Sequence, residues 1–153
     1  AVVEDRPCFL LAPRSTHWFE GAGVADMRQL VGIALEAYPK IDTSRIYCTG
    51  VSRGGWGTFN LALHYPDLFA AVACVSSAPK ITSAARRLAQ TPVLLINGER
   101  DGVVPVQGAR RAARELEELG IPHRLVTFPD YGHEYHPVEY LNLTLDFFEN
   151  PQS

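Results

Sequence analysis

Short apolar runs alternate with segments of helical periodicity along this chain, and that alternation constrains the fold more than any other feature. Five runs read as strands because each is short, continuous and mostly apolar: residues 8–12, 45–49, 70–75, 93–97 and 124–128. Strands that are apolar along their whole length are typical of a parallel sheet covered by helices on both faces. The pattern therefore predicts an α/β three-layer sandwich with a mainly parallel sheet of about five strands.

Four segments with helical spacing separate or follow these runs. The first ends before Pro39, the second runs over 53–65 before Pro66, the third has Gly120 as its C-terminal cap, and the last follows Pro137. Proline disfavours helix at the residue before it, and glycine adopts the left-handed conformation that often closes a helix. If right-handed crossovers join consecutive strands, the first three helices lie on one face and only the last covers the other.

Composition excludes several classes of protein. The 153 residues are 46% apolar and 20% charged, which is ordinary for one soluble domain, so we expect a single domain over residues 1–153. Fourteen Lys and Arg against 17 Asp and Glu give a net charge of −3 and no basic field for nucleic acid. No apolar run approaches the roughly 20 residues that span a bilayer. The sequence therefore predicts no nucleic-acid partner and no membrane span.

The three cysteines lie in apolar, strand-like runs, which predicts buried free thiols, with one disulfide between neighbouring strands as the open alternative. Cys8, Cys48 and Cys74 form no Cys-x-x-Cys pair of the kind used for zinc or redox chemistry. Reduced cysteines favour a cytoplasmic location, although a mature secreted chain fits the same sequence. No metal and no cofactor are predicted.

The segment after the second predicted strand has the pattern of a nucleophile elbow. Gly50, Ser52 and Gly54 give the string G-x-S-x-G between a strand and a helix, the setting that such a serine requires. The turn is sharp, so small residues are expected two positions before and two positions after the serine. A serine hydroxyl is a poor nucleophile until a base takes its proton, so the interpretation needs a histidine and a carboxylate elsewhere.

Both partners follow in the loops after the fourth and fifth predicted strands. Asp101 lies in the first of these loops and is preferred to Glu99, and His133 lies in the second and is preferred to His136. Loops at the carboxyl ends of parallel strands gather at one edge of the sheet. Residues 133–136 fall one residue short of the H-E-x-x-H zinc pattern, so these histidines predict a base rather than a metal site. The chain order Ser, Asp, His predicts nucleophilic catalysis at that edge.

With these residues in place, the sequence resembles the α/β-hydrolase superfamily, especially its phospholipase/carboxylesterase, polyhydroxybutyrate-depolymerase-like and prolyl-oligopeptidase-like branches. Residues 45–58, RIYCTGVSRGGWGT, are similar to the elbow segment of these proteins, and residues 65–71, YPDLFAA, are similar to the stretch that follows it. The resemblance covers nearly all of the chain. It implies a serine esterase with Ser52 as nucleophile, Asp101 as acid and His133 as base, and with the backbone N–H of Arg53 facing the oxyanion.

The chain departs from these families on its N-terminal side. They carry further strands before the segment that resembles residues 7–13, and a loop after one of those strands supplies a second oxyanion donor. The resemblance thus implies a truncated α/β-hydrolase fold, with a substitute donor expected in residues 14–18. A parallel sheet with an incompletely covered face exposes apolar surface, so we expect a homo-oligomer or a missing N-terminal segment to cover that face.

Small to medium carboxylic esters are the expected substrates, because no insertion long enough for a lid separates the predicted strands. Trp18, Trp56 and Tyr131 are candidates for an aromatic wall of the substrate pocket, although Trp56 also fits core packing on the elbow helix. Two other functions stay open. One is a serine peptidase of prolyl-oligopeptidase type, which rests on the resemblance alone. The other is a catalytically weak remnant that acts as a binding or self-associating module, which would follow from the missing oxyanion loop.

Overall fold

The computed structural model describes residues 8–14, 19–133 and 137–151. Four parallel strands form one sheet in which each strand pairs with the next one along the chain. Their bounds are β1 Tyr47–Val51, β2 Ala71–Val75, β3 Val93–Gly98 and β4 His123–Phe128. Because the strands are parallel and adjacent in chain order, their carboxyl ends meet at one edge of the sheet.

Helices precede, connect and follow the strands, and all four predicted helices form. Their bounds are α1 Ala22–Ala37, α2 Arg53–His64, α3 Val106–Glu118 and α4 Pro137–Glu149, with short 3₁₀ helices at Thr43–Arg45 and Ser83–Leu88. Gly120 follows α3 in the left-handed conformation, at φ 68°, as its predicted role as a cap requires. The predicted α/β class is confirmed.

The helices cover the two faces of the sheet unequally. The larger core packs α1, α2 and α3 against one face, with Phe59 and Leu116 among its fully buried side chains. Among the described residues, α4 is the helix on the other face, where Tyr140, Phe147 and Phe148 cover β2 and β3. The predicted distribution of helices is confirmed, and the sheet is the middle layer of a three-layer sandwich.

The cover on the α4 side decreases toward β1. Every residue of β2 and β3 is buried, whereas Thr49 of β1 is exposed. Side chains alternate along a strand, so Thr49 faces the same side as Tyr47 and Val51, which contact the α4 core. That a second copy of the chain or a further N-terminal segment covers this part of the sheet stays a prediction.

Residues 8–12 do not form the expected first strand. The described segment 8–14 has no regular secondary structure and is exposed, with Phe9 at 62% and Leu10 at 86%. A strand needs a neighbour that accepts its backbone hydrogen bonds, and this segment does not pair with β1, the edge strand of the described sheet. Within the residues that the structure describes, the sheet therefore has four strands rather than about five. The thiol of Cys8, expected to be buried, is exposed for the same reason, whereas Cys74 is buried.

The first strand of the sheet begins two residues later than the apolar pattern predicts. Asp42 caps the 3₁₀ turn Thr43–Arg45: its carboxylate accepts hydrogen bonds from Ser44 N at 3.0 Å and from Arg45 Nε at 2.8 Å. These bonds stabilise the turn through Arg45, so the strand starts after it.

Because the sheet is covered unequally, we expect the loss of a buried α4 side chain to lower the free energy of unfolding strongly. Phe147 is 2% exposed, and replacing it by alanine removes most of a buried ring from the single helix that the described residues place on that face. We expect Phe147→Ala to lower the free energy of unfolding by about 3–5 kcal/mol. Val138, on the same helix, is 59% exposed, and Val138→Ala should change it by less than about 0.5 kcal/mol. Urea unfolding of both variants checks this, and equal losses would contradict it.

Candidate active site

The elbow predicted around Ser52 is present between β1 and α2. Ser52 has φ 55° and ψ −116°, a conformation that is strained for any residue other than glycine. Its N–H donates to the carbonyl of Val75 at 2.8 Å, and its own carbonyl accepts from Trp56 N at 3.1 Å. These bonds hold the serine at the carboxyl edge of the sheet. Arg53 is the first residue of α2, where the peptide dipoles favour negative charge.

Two glycines make the sharp turn possible: Gly50, which belongs to the motif, and Gly55, which follows it. A Cβ on Gly50 would overlap the backbone carbonyl of Gly54 and lie 2.9 Å from its Cα. A Cβ on Gly55 would lie 2.6 Å from Ser77 Oγ and 2.8 Å from the carbonyl oxygen of Gly50. A Cβ on Gly54 would meet nothing within 4 Å. Glycine itself is therefore required at Gly50, whereas the position of Gly54 has room for a methyl group, and Gly55 adds a second position where the close approach of α2 requires glycine.

Ser52, His133 and Asp101 form a continuous row of hydrogen bonds. Ser52 Oγ lies 3.1 Å from His133 Nε2, and His133 Nδ1 lies 2.8 Å from Asp101 Oδ2. An ionised carboxylate only accepts hydrogen bonds, so Nδ1 carries a proton and, in the neutral imidazole, Nε2 accepts from the serine hydroxyl. The side chain of Asp101 is fully buried and that of His133 is 26% exposed. The fold thus brings together the three residues that the sequence singles out.

The charge of Asp101 is stabilised although its side chain is buried. Burial by itself raises the pKa of Asp101, but hydrogen bonds from His133, Val104 N and Val103 N outweigh it and hold that pKa below its usual range. Val104 N and Val103 N donate to Oδ1 at 2.7 and 2.9 Å, which leaves Oδ2 for His133. Asp101 is therefore a fixed negative charge beside the imidazole.

Asn97, at the end of β3, holds the loop of Asp101 in place. This loop, residues 99–105, is called the acid loop below. The buried Nδ2 of Asn97 donates to the carbonyl of Val104 at 3.1 Å and to that of Gly98 at 3.2 Å. Glu99, the rejected alternative, instead binds Arg110 at 2.6 Å. Sequence reasoning missed Asn97, and a polar residue at the end of an otherwise apolar strand is the signal that could have found it.

The aromatic residues expected to line the substrate pocket differ in their burial and packing. Trp56 is half-buried on α2. Tyr131 stacks on Phe128, with ring centroids 5.0 Å apart, and packs against the α4-side core, so its ring contributes to that core. Burial and the nearby Glu139 carboxylate raise the pKa of Tyr131. Trp18 and His136 lie outside the described residues.

Neither a metal site nor a membrane-spanning helix is found in the part of the chain that the structure describes. Within residues 8–14, 19–133 and 137–151, no group of three or more His, Cys, Asp or Glu side chains is arranged to hold a metal ion. None of the helices described there has both the length and the apolar character that a membrane span requires.

Comparison with known proteins identifies the family of this chain. Residues 11–139 match the model of the dienelactone hydrolase family. The chain belongs to the dienelactone hydrolase family. The family lies within the α/β-hydrolase superfamily, so the resemblance read from the elbow segment is confirmed.

Two curated proteins and a solved structure are similar to parts of this dienelactone hydrolase family chain. "Putative esterase NocK" of Nocardia uniformis subsp. tsuyamanensis is 31% identical over 96 residues, which are 62% of this chain and 28% of that protein. Poly(3-hydroxyalkanoate) depolymerase C of Paucimonas lemoignei is 39% identical over 70 residues, 41% of this chain and 17% of the depolymerase. A solved thermostable esterase is 28% identical with a TM-score of 0.61, over 82% of this chain and 34% of the esterase. The matches thus span under a third of each curated relative's length.

Glycine packing at the elbow predicts different changes in stability for alanine substitutions at Gly50 and Gly54. Gly50→Ala places a methyl group into the α2 backbone, so we expect a loss of about 1–3 kcal/mol in the free energy of unfolding. Gly54→Ala adds the same methyl group in open space and should be neutral or slightly stabilising. Equilibrium unfolding in urea distinguishes them, and similar losses in both variants would contradict the packing argument.

The depressed pKa of Asp101 predicts a pH-dependent contribution to stability. An aspartate with a lowered pKa in the folded state stabilises the protein above its unfolded-state value, about 3.9, and this contribution is lost as pH falls through the folded-state value. We expect Asp101→Asn to be less stable than the parent near neutral pH, with a difference that narrows below about pH 4. Unfolding free energies measured across this pH range test it. A difference that does not vary with pH would count against the charged Asp101.

Proposed function

We propose that this chain is a serine hydrolase that cleaves carboxylic esters of small to medium size through an acyl-enzyme on Ser52. The observation that carries the proposal is the hydrogen-bonded row from Ser52 Oγ through the His133 imidazole to the buried Asp101 carboxylate. A row of this kind supplies what a serine hydroxyl needs in order to attack a carbonyl carbon, namely a base within hydrogen-bond distance and a group that fixes the base.

His133 is the proposed general base and acid. Its Nε2 takes the proton of Ser52 as Oγ bonds to the ester carbonyl carbon, and a tetrahedral oxyanion forms. The same Nε2 then gives the proton to the leaving alcohol as the ester C–O bond breaks. In the second half of the cycle, water bonds to the acyl carbon and loses a proton to His133 Nε2. The bond between the acyl carbon and Ser52 Oγ then breaks, Nε2 returns the proton to Oγ, and the acid leaves.

Asp101 keeps the imidazole in the reactive tautomer. Because Oδ2 accepts from Nδ1, the lone pair stays on Nε2, where it faces Ser52. The charge on Asp101 also stabilises the imidazolium that forms when His133 takes the serine proton. The two backbone donors on Oδ1 keep the carboxylate ionised and fixed in orientation.

The backbone N–H of Arg53 is the proposed oxyanion donor. It belongs to the first turn of α2, so the helix dipole adds to the favourable interaction with developing negative charge. A substitute for the second donor is expected in residues 14–18, of which 15–18 lie outside the described residues.

Two observations support the proposed substrate class: the first favours a small to medium size, and the second favours esters in general. The connection between β2 and β3 contains only the short 3₁₀ helix Ser83–Leu88, which gives no lid-sized element at this position. The relatives are named as an esterase and a poly(3-hydroxyalkanoate) depolymerase, and both names denote proteins that act on esters. These points support ester substrates for the present chain.

The proposal predicts that Ser52 is essential for labelling and turnover. The parent should react with a fluorophosphonate probe and hydrolyse p-nitrophenyl esters, with rates that fall as the acyl chain lengthens. Ser52→Ala should lose labelling and about 10⁴-fold or more of kcat, because the nucleophile is gone. Mass spectrometry of the rapidly quenched parent should detect the acyl group on the peptide that contains Ser52.

Ser44→Ala is the matched control. Ser44 is exposed and precedes β1, so it lies at the end of that strand opposite to Ser52. The control should behave as the parent does. Labelling that survives Ser52→Ala would exclude this serine as the nucleophile, and a folded parent without labelling or turnover would favour the binding-module alternative.

A further inference from the structure

The acid loop and the loop of His133 meet over the end of β3. Gly98, the last residue of β3, pairs with Phe128, the last residue of β4. Residues 129–133, called the base loop below, then fold back so that the carbonyl groups of Tyr131 and Gly132 lie directly against Gly98. His133 is the next residue of this loop. Its position therefore depends on how closely the loop approaches β3.

Only a residue without a side chain permits this approach. A Cβ on Gly98 would overlap the carbonyl oxygen of Tyr131 and lie 2.6 Å from that of Gly132. Both obstacles are backbone atoms, which cannot turn aside as a flexible side chain can. Gly98 does not have the positive φ that favours glycine, since it is an ordinary strand residue. The requirement for glycine is one of space.

Backbone hydrogen bonds fix the register of the same contact. Arg100 N donates to the carbonyl of Tyr131 at 2.9 Å, and Glu99 N donates to that of Phe128 at 2.9 Å. An ion pair between Arg100 and Asp130 also joins the two loops, but its side chains are 70% and 77% exposed, and such pairs contribute little to stability. The close backbone contact at Gly98 is therefore the stronger constraint.

We infer that Gly98 is a positioning residue, whose missing side chain lets the base loop dock on the acid loop and so holds His133 between Asp101 and Ser52. The inference rests on the proposed function for its catalytic consequence. Adding one methyl group at Gly98 pushes the Tyr131 and Gly132 carbonyl groups away from β3. The hydrogen bonds of His133, now 2.8 and 3.1 Å, then lengthen beyond useful geometry.

The test compares the parent with Gly98→Ala, Gly102→Ala and Asp130→Ala. Gly102 lies in the acid loop, where a Cβ would meet nothing within 4 Å, so its variant adds the same methyl group without the clash. Asp130→Ala removes only the exposed ion pair between the loops. The measurements are kcat and KM on a p-nitrophenyl ester, and the low-field proton NMR signal of the imidazole N–H bonded to Asp101, assigned with His133→Gln.

Gly98→Ala should lower kcat by about 10²-fold, the usual consequence of misplacing a reacting group by about 1 Å, with KM close to that of the parent. The low-field signal should disappear in this variant and persist in both controls. A Gly98→Ala protein that keeps the parent kcat and the signal would overturn the inference. So would a Gly102→Ala protein with the same losses.

Measurements on the parent protein cover two further cases: a Gly98→Ala variant that does not fold, and a parent without ester turnover. If Gly98→Ala does not fold, hydrogen exchange of the Arg100 amide in the parent replaces it: exchange as slow as that of amides within β3 supports the docking, and exchange as fast as that of an unstructured chain overturns it. If the folded parent lacks ester turnover and labelling, the proposed function fails. The low-field signal in the parent and in Gly98→Ala then still tests the positioning role.

Discussion

Burial of β2 and β3 on both faces is the constraint on which the rest of the structure depends. Every residue of these two strands is buried, so helices must lie on both sides of the sheet. Parallel strands need long connections to return to the same edge, and α2 and α3 are helices of such connections. The helix α1 before β1 and the helix α4 after β4 complete the cover. The same geometry places every strand's carboxyl end at one edge. The architecture that forms the core therefore also brings the loops of Ser52, Asp101 and His133 together.

Close backbone contacts set the precision of the site. At the elbow, Gly50 and Gly55 let β1 and α2 meet at a turn whose serine is held in a strained conformation. At the other side of the site, Gly98 lets the base loop meet β3. In both places glycine is required because neighbouring atoms occupy the space of a Cβ. Rigid backbone contacts of this kind hold catalytic groups more closely than flexible side chains would.

The electrostatics of the site follow from the same loops. Asp101 is buried, which disfavours its charge, yet three hydrogen bonds make the charged form the stable one. Asn97 supports this arrangement from β3, because its amide holds the Val104 carbonyl while Val104 N binds the carboxylate. A charged group fixed in this way next to His133 keeps the imidazole oriented without any movement during the proposed reaction.

The family relationship and the geometry answer different questions. The match over residues 11–139 establishes the dienelactone hydrolase family, and with it the superfamily that the elbow segment suggested. It leaves the reaction and the substrate as proposals. The proposed attack by Ser52 rests on the distances within the row of three side chains, which are properties of the folded chain. The choice of esters rests on the short β2–β3 connection and on the names of the relatives.

The α/β class, four of the five predicted strands, the four helices and the three residues of the hydrogen-bonded row could be predicted from the sequence alone. Those features depend on local periodicity, on proline and glycine, and on the order of a few polar residues. Tertiary structure decided that residues 8–12 are not a strand, because pairing depends on a neighbouring edge that periodicity does not reveal. It also decided that Gly50, Gly55 and Gly98 are constrained while Gly54 is not. Whether a Cβ fits depends on backbone from distant parts of the chain, and only the folded molecule places that backbone.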